Sequence, residues 1–233
     1  MSHFHFVGGE YQLCHGICNF GARDPFQVFQ AINAFLDNNP NEVLMIVLEI
    51  NSGVDQTVDL NVFYDGAIGN VEGLVNKIYL HPDAQTPWPT LSELIAANSR
   101  LVMFHYNGPN CSQTSCPPGM LEWFREYGSE TEYSFDTATD MQNYDLSCPI
   151  DRGPQNVAPS FFGINAFVTA PPGLPSKDQA EVVNTMAFLE DRVEQCTSRN
   201  GLNVANVVWV DFWSIGDLVE LTQTLNAEYA ASQ

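Results

Sequence analysis

Positive charge is what this chain lacks most. Eight Lys and Arg stand against 28 Asp and Glu in 233 residues, a formal net charge of −20. A surface of that sign repels polyanions, which excludes nucleic acid and anionic membrane as partners held by bulk electrostatics. An anionic substrate then needs a local cluster of donors or a bound cation. The chain also lacks any run approaching the ~18 apolar residues of a membrane span, so no transmembrane segment is expected. No two cysteine pairs show zinc-finger spacing, because Cys14-x3-Cys18 and Cys111-x4-Cys116 come without finger histidines. Sequence repeats and low-complexity linkers are absent as well. Met1-Ser2-His3-Phe4-His5-Phe6 has neither the charged start nor the apolar h-region of a signal peptide.

What the chain does have is 45% hydrophobic and 12% aromatic residues, the composition of a globular protein with a sizeable core. Six cysteines, few lysines and many Asn, Gly and Pro lean toward an extracytoplasmic, disulfide-bearing protein. Six cysteines allow 15 connectivities. The expected pairs are Cys14–Cys18, Cys111–Cys116 and the long-range Cys148–Cys196. A secreted composition without a secretion signal leads to the expectation that the natural N-terminus lies upstream of Met1.

Strands and helices alternate along the chain. Residues 1–15 read as strand broken by the Gly8-Gly9 turn, and Pro25 to Asn39 as a helix with Asp24 at its N-cap. Phe26, Phe29, Ile32, Phe35 and Leu36 give that helix one apolar stripe, read as core. Val43 to Leu48 is continuously apolar, as in a parallel strand buried on both faces. Asn61 to Asn70 reads as helix and Val75 to Leu80 as a short strand. Thr90 caps a helix over Leu91 to Asn98, and Leu101 to Tyr106 follows as strand. The polar stretch 107–160 offers one weak strand around Tyr133–Phe135. Phe161 to Val168, one long helix over Lys177 to Cys196, the strand Val207 to Trp213 and the helix Ile215 to Tyr229 complete the reading. About seven strands alternating with helices imply a largely parallel sheet covered by helices.

In such folds the chemistry lies at the carboxyl ends of strands. The polar residues there are His15, Glu49, His105 with Tyr106, Asn165 and Asp211. Tyr11-Gln12-Leu13-Cys14-His15-Gly16 is a strand-like segment ending in a histidine, a common way of presenting an acid or base. His105 and Tyr106 fall where substrate contacts are expected. Arg23 and Arg152 read as solvated loop cations. His3 and His5 share a strand face by the period of two and offer a possible metal site with Glu49.

Taken in order, Leu13-Cys14-His15-Gly16, Asn39-Pro40-Asn41-Glu42-Val43, Trp88-Pro89-Thr90-Leu91, Asn98-Ser99-Arg100-Leu101-Val102, Ser147-Cys148-Pro149, Ile164-Asn165-Ala166-Phe167 and Val208-Trp209-Val210-Asp211-Phe212 resemble the X-domain-like phosphodiesterases related to phosphatidylinositol-specific phospholipase C. The secreted, cysteine-containing eukaryotic members look most similar. The resemblance implies one α/β domain over residues 1–233, an irregular TIM-type (β/α) barrel entered at its second strand and incomplete at the N-terminus. It implies a phosphoric diester hydrolase acting on a phosphoinositide-like or other phospholipid-derived diester, in the secretory pathway or outside the cell. His15 matches the histidine that protonates the leaving alkoxide. Asp211 matches the aspartate that orients a second, deprotonating histidine, and Glu49 matches a carboxylate ligand of calcium in calcium-dependent members. The chain departs from the family where that second histidine belongs, in a Thr-His-[Asp/Asn]-Ser type segment, because 14 residues precede His15. A catalytically silent member or fragment that at most binds a partner is therefore the alternative reading. A barrel glycosidase using Glu49 and Asp211 as its acid pair is a third. Oligomeric state is left open.

Overall fold

The structure, a computed structural model, describes residues 3–7, 10–14, 18, 21–50, 59–106, 116–155, 161–169 and 174–232. Contacts divide the chain into two units, Met1–Trp123 and Phe124–Gln233.

The first unit is built on a six-stranded sheet of order β3-β2-β1-β4-β5-β6. Its strands are β1 (His3–Val7), β2 (Glu10–Cys14), β3 (Ala22–Arg23), β4 (Leu44–Ile50), β5 (Leu101–Tyr106) and β6 (Met120–Glu122). β1 and β2 form an antiparallel hairpin, while β1, β4, β5 and β6 run parallel. Helix α1 (Pro25–Asn38) starts as expected: the Asp24 carboxylate accepts the Phe26 N–H at 2.9 Å, and Pro25 gives up no needed donor. Phe29 and Leu36 bury against Leu44, Ile46, Leu48, Leu101 and Met103 on one sheet face, while Phe35 is 42% exposed. Arg100, 4% exposed, donates to the carbonyls of Leu36, Asn39 and Glu42 at 2.8–3.3 Å. A cation at the orphan carbonyls of a helix end ties α1 to the start of β5. Helix α2 (Leu60–Tyr64), capped by Asp59, continues into a π-helical turn over Asp65–Gly69. Helix α3 (Leu91–Ala96) opens on a Thr90–Glu93 capping box. The strand expected over Val75 to Leu80 is a 3-10 turn, Val75–Lys77, followed by one bridge from Ile78 to Leu101. Buried Lys77 is held there by Asp37 at 2.7 Å and Asn33 at 2.6 Å, partners that outweigh the local β-propensity.

The second unit has strands β7 (Gly128–Thr131), β8 (Ser134–Phe135), β9 (Ile150–Arg152), β10 (Phe161–Val168) and β11 (Val207–Val210). Their order is β11-β10-β7-β9, with β8 beside the end of β10. Its helices are α4 (Ala138–Met141), α5 (Tyr144–Ser147), α6 (Lys177–Val183), α7 (Met186–Arg199) and α8 (Leu218–Ala231). Phe162, Ile164, Ala166 and Val168 of β10 pack on Val183, Leu189, Val193 and Leu221, so the even positions face the helices. Fully buried Arg192 donates to the carbonyls of Asn165, Met141 and Ser147 and to the Ser147 hydroxyl, locking α7 to the sheet and to α5.

Three sequence expectations change here. The single helix over Lys177 to Cys196 is two helices, broken at Asn184-Thr185, where the Asp217 carboxylate caps the Met186 N–H at 2.8 Å. β11 stops at Val210 because Phe212 turns into the left-handed region, φ 51°. The stretch 107–160 holds β6 to β9 and two short helices, where one weak strand was expected.

Disulfides join Cys14 to Cys18 and Cys148 to Cys196, and Cys116 is disulfide-bonded too. Its expected partner, Cys111, lies outside the described residues. Among the described residues no helix is long and apolar enough to cross a membrane.

Candidate active site

Strand register in the first unit gathers one end of four strands into a row. Cys14 pairs with His3, His3 with Glu49, and Glu49 with Tyr106. Because β2 runs antiparallel, its last residue lies beside the first residue of β1 and so at the carboxyl ends of β4 and β5. The strand that leads to the histidine motif is thus the return strand of a hairpin, not one of the parallel strands, yet its last residue, Cys14, lies at the same end. His15 itself lies outside the described residues; the Cys14–Cys18 disulfide brackets it in sequence.

The Tyr106 hydroxyl donates to Glu49 Oε2 at 3.0 Å, and Tyr106 is 4% exposed. That bond fixes the carboxylate while leaving it able to accept further donors. His105, next in sequence, goes the other way. Leu44, Ile46 and Leu48 register with Leu101, Met103 and His105, and this row is the helix-packed face. His105 is 1% exposed, and burial pushes its imidazole down to about 4, so it is neutral at physiological pH. Of the two expected substrate contacts, Tyr106 shares a face with Glu49 and His105 does not.

In the second unit, Asp211 follows the end of β11 and is held through its backbone. Buried Asn184, in the break between α6 and α7, donates its side-chain amide to the Asp211 carbonyl at 2.8 Å and the Ile215 carbonyl at 3.2 Å. Its own carbonyl accepts the Asp217 N–H at 2.8 Å. Gly216, φ 82°, has no room for a side chain, since an added Cβ would meet the Asn184 carbonyl oxygen at 2.4 Å. Asn184 is a functional candidate that sequence reading missed, because an asparagine inside an apparently continuous helix carries no local signal.

The face of the same sheet opposite α6, α7 and α8 carries a second missed group. Glu130, 2% exposed, accepts Arg152 at 2.6 Å and the Asn165 amide at 3.0 Å. Arg152 is opposite Glu130 in the β7–β9 register, in a strand and not in the solvated loop expected. Asn165 Oδ1 and Trp209 Nε1 are buried with no hydrogen-bond partner among the described residues. One sequence signal did mark this face. An isolated glycine inside an apolar strand announces close approach, and a Cβ at Gly163 would meet Glu130 Cγ and Trp209 Nε1, each at 2.9 Å.

A calcium ion needs six to eight oxygen ligands. Among the described residues no three His, Cys, Asp or Glu come together as metal ligands, and Glu49 is hydrogen-bonded to Tyr106.

The family model described as PI-PLC X 1 matches residues 2–226. A fungal relative, PI-PLC X domain-containing protein 1 of Arthroderma benhamiae, is 25% identical over 228 residues, covering 94% of this chain and 70% of the relative. No solved structure matches at comparable stringency. The family match runs from the β1–β2 hairpin to α8 and takes in every strand-end residue described above, so the chain belongs to the PI-PLC X-domain family.

Proposed function

We propose that the protein is a phosphoric diester hydrolase of the phospholipase C type, acting on a phosphoinositide-like diester within an irregular (β/α) barrel. The observation that carries this reading is the register row Cys14–His3–Glu49–Tyr106, which brings the residue before His15 to the strand ends that bear Glu49 and Tyr106. In the proposed reaction a substrate hydroxyl attacks phosphorus, the P–O bond to the leaving alkoxide breaks, and the His15 imidazolium gives that alkoxide its proton. An imidazole suits this because its ordinary pKa of ~6.5 lets it carry and release a proton near neutrality. The attacking hydroxyl passes its proton to a second histidine acting as general base, whose orientation Asp211 would fix. Glu49, held by Tyr106, would meet the charged centre either as an acceptor or as one ligand of a calcium ion. A secreted location fits the disulfides.

The test is hydrolysis of phosphatidylinositol and of a chromogenic phosphodiester by the purified protein. Turnover is expected, falling about 10²–10⁴-fold in His15→Ala. A second reading, a family member that binds diesters without cleaving them, is favoured by the histidine census: of five histidines, His81 and His105 are buried, 7% and 1% exposed. Saturable diester binding with no turnover would establish it.

A further inference from the structure

A protein of net charge −20 that binds a phosphodiester must neutralise the phosphate locally. The second unit holds five of the eight Lys and Arg: Arg125, Arg152, Lys177, Arg192 and Arg199. Arg192 is buried on the helix-packed side and spent on four backbone and hydroxyl oxygens. Arg199 ends α7 beside Asp145 at 3.3 Å, Lys177 opens α6 in solvent, and Arg125 is exposed on the π-helical turn Trp123–Tyr127. Arg152 differs from all of them. It stands with Glu130 on the sheet face opposite the one packed on α6, α7 and α8, and its side chain is 27% exposed.

The setting of that side chain is built. Glu130 holds the guanidinium at 2.6 Å from a position 2% exposed, and the rings of Phe124 and Tyr133 lie 4.5 and 4.9 Å from its central carbon. Carboxylate and rings together restrict the rotamers of a long side chain, so a ligand meets a guanidinium already ordered. Gly163 keeps this face clear where any other residue would collide with Glu130 and Trp209. Beside it the buried Asn165 carries an acceptor, and Trp209 a donor, that no described residue satisfies.

We propose that Arg152 is a phosphate-contacting residue of this protein, pre-positioned by Glu130, Phe124 and Tyr133, with Asn165 and Trp209 supplying an adjoining hydrogen-bonding wall. The planar fork of a guanidinium matches two phosphate oxygens at once, which a lysine ammonium does not. The assignment rests on the diesterase reading for its substrate, but not for the anion itself.

The experiment measures inorganic phosphate binding by calorimetry and diester turnover in the wild type, Arg152→Lys, Arg152→Gln and the paired Glu130→Gln/Arg152→Gln. The pair is included because Arg152→Gln alone strands a buried carboxylate and can unfold the protein. The expected result is a Kd for phosphate at least tenfold weaker in Arg152→Gln and in the pair, with Arg152→Lys intermediate and the pair melting near wild type. For the diester, KM rises more than kcat falls. A folded pair that binds phosphate like wild type overturns the proposal, as does a wild type that binds no phosphate. Arg152-dependent binding without turnover leaves this inference standing and removes the diesterase reading. Turnover with unchanged KM in the pair does the reverse.

Discussion

His105 and Tyr106 are neighbours in sequence whose side chains go to opposite faces of β5, and their surroundings give them different chemistry. The Tyr106 hydroxyl orients Glu49, whereas His105 is desolvated among apolar residues. A folded-state pKa lowered from 6.5 to about 4 means that the unfolded chain binds the proton first as pH falls. The contribution is therefore fully present above pH 6.5 and lost progressively between about 6.5 and 4, on the order of 3 kcal/mol. Urea unfolding across that window is predicted to show this loss in the wild type and a flatter profile in His105→Gln; equal slopes would remove the assignment. Phe212 is a second residue-scale case. Its φ of 51° puts an aromatic residue in the left-handed region, a conformation that costs roughly 1–2 kcal/mol. Phe212→Gly is expected to raise the melting temperature by a few degrees, Phe212 being 40% exposed and losing little packing, whereas a drop would mean that the ring packs more than its exposure suggests. Neither feature was legible beforehand. Which face a strand residue takes depends on register, and a positive φ in a bulky residue is imposed by the loop around it.

The elements best read in advance carry their own signals. α1 was legible because Asp24-Pro25 and the apolar spacing after it act within a few residues, and α3 because Thr90 and Glu93 form a capping box. Thr90→Ala is predicted to cost about 1 kcal/mol in denaturant unfolding. The break between α6 and α7 was invisible because its cause, the Asn184 and Asp217 bonds, lies some thirty residues away in sequence, |i−j| 27 to 31. Asn184 links that break to Asp211. Asn184→Asp keeps the size but replaces the donating amide by an acceptor facing two carbonyls. If Asp211 orients a catalytic histidine, this change lowers kcat and distorts the pH–rate profile while KM holds. A variant with wild-type kcat and profile would show that the loop keeps its place without Asn184.

At the scale of the molecule, the α/β class was readable from the alternation of strand and helix patterns, and the family from the order and spacing of short motifs, since no one motif is specific by itself; the two described disulfides are expected pairs. Polar positions within strands were less readable. Arg152 is followed by a glycine and a proline, as a loop residue would be, and becomes part of β9 through its pairing with Glu130. The Cys148–Cys196 bridge, 48 residues apart and buried in the core of the second unit, is predicted to contribute about 4 kcal/mol by restricting the unfolded chain. The Cys148→Ala/Cys196→Ala variant is expected to lower the urea midpoint substantially, and an unchanged midpoint would refute the estimate. The central claim, a phosphodiesterase in which His15 is the general acid, is tested most directly by following phosphatidylinositol cleavage by the purified protein with phosphorus NMR. The account predicts a new phosphate-ester resonance that His15→Ala suppresses by two orders of magnitude or more; product formed at the same rate by His15→Ala, or by neither protein, would contradict it.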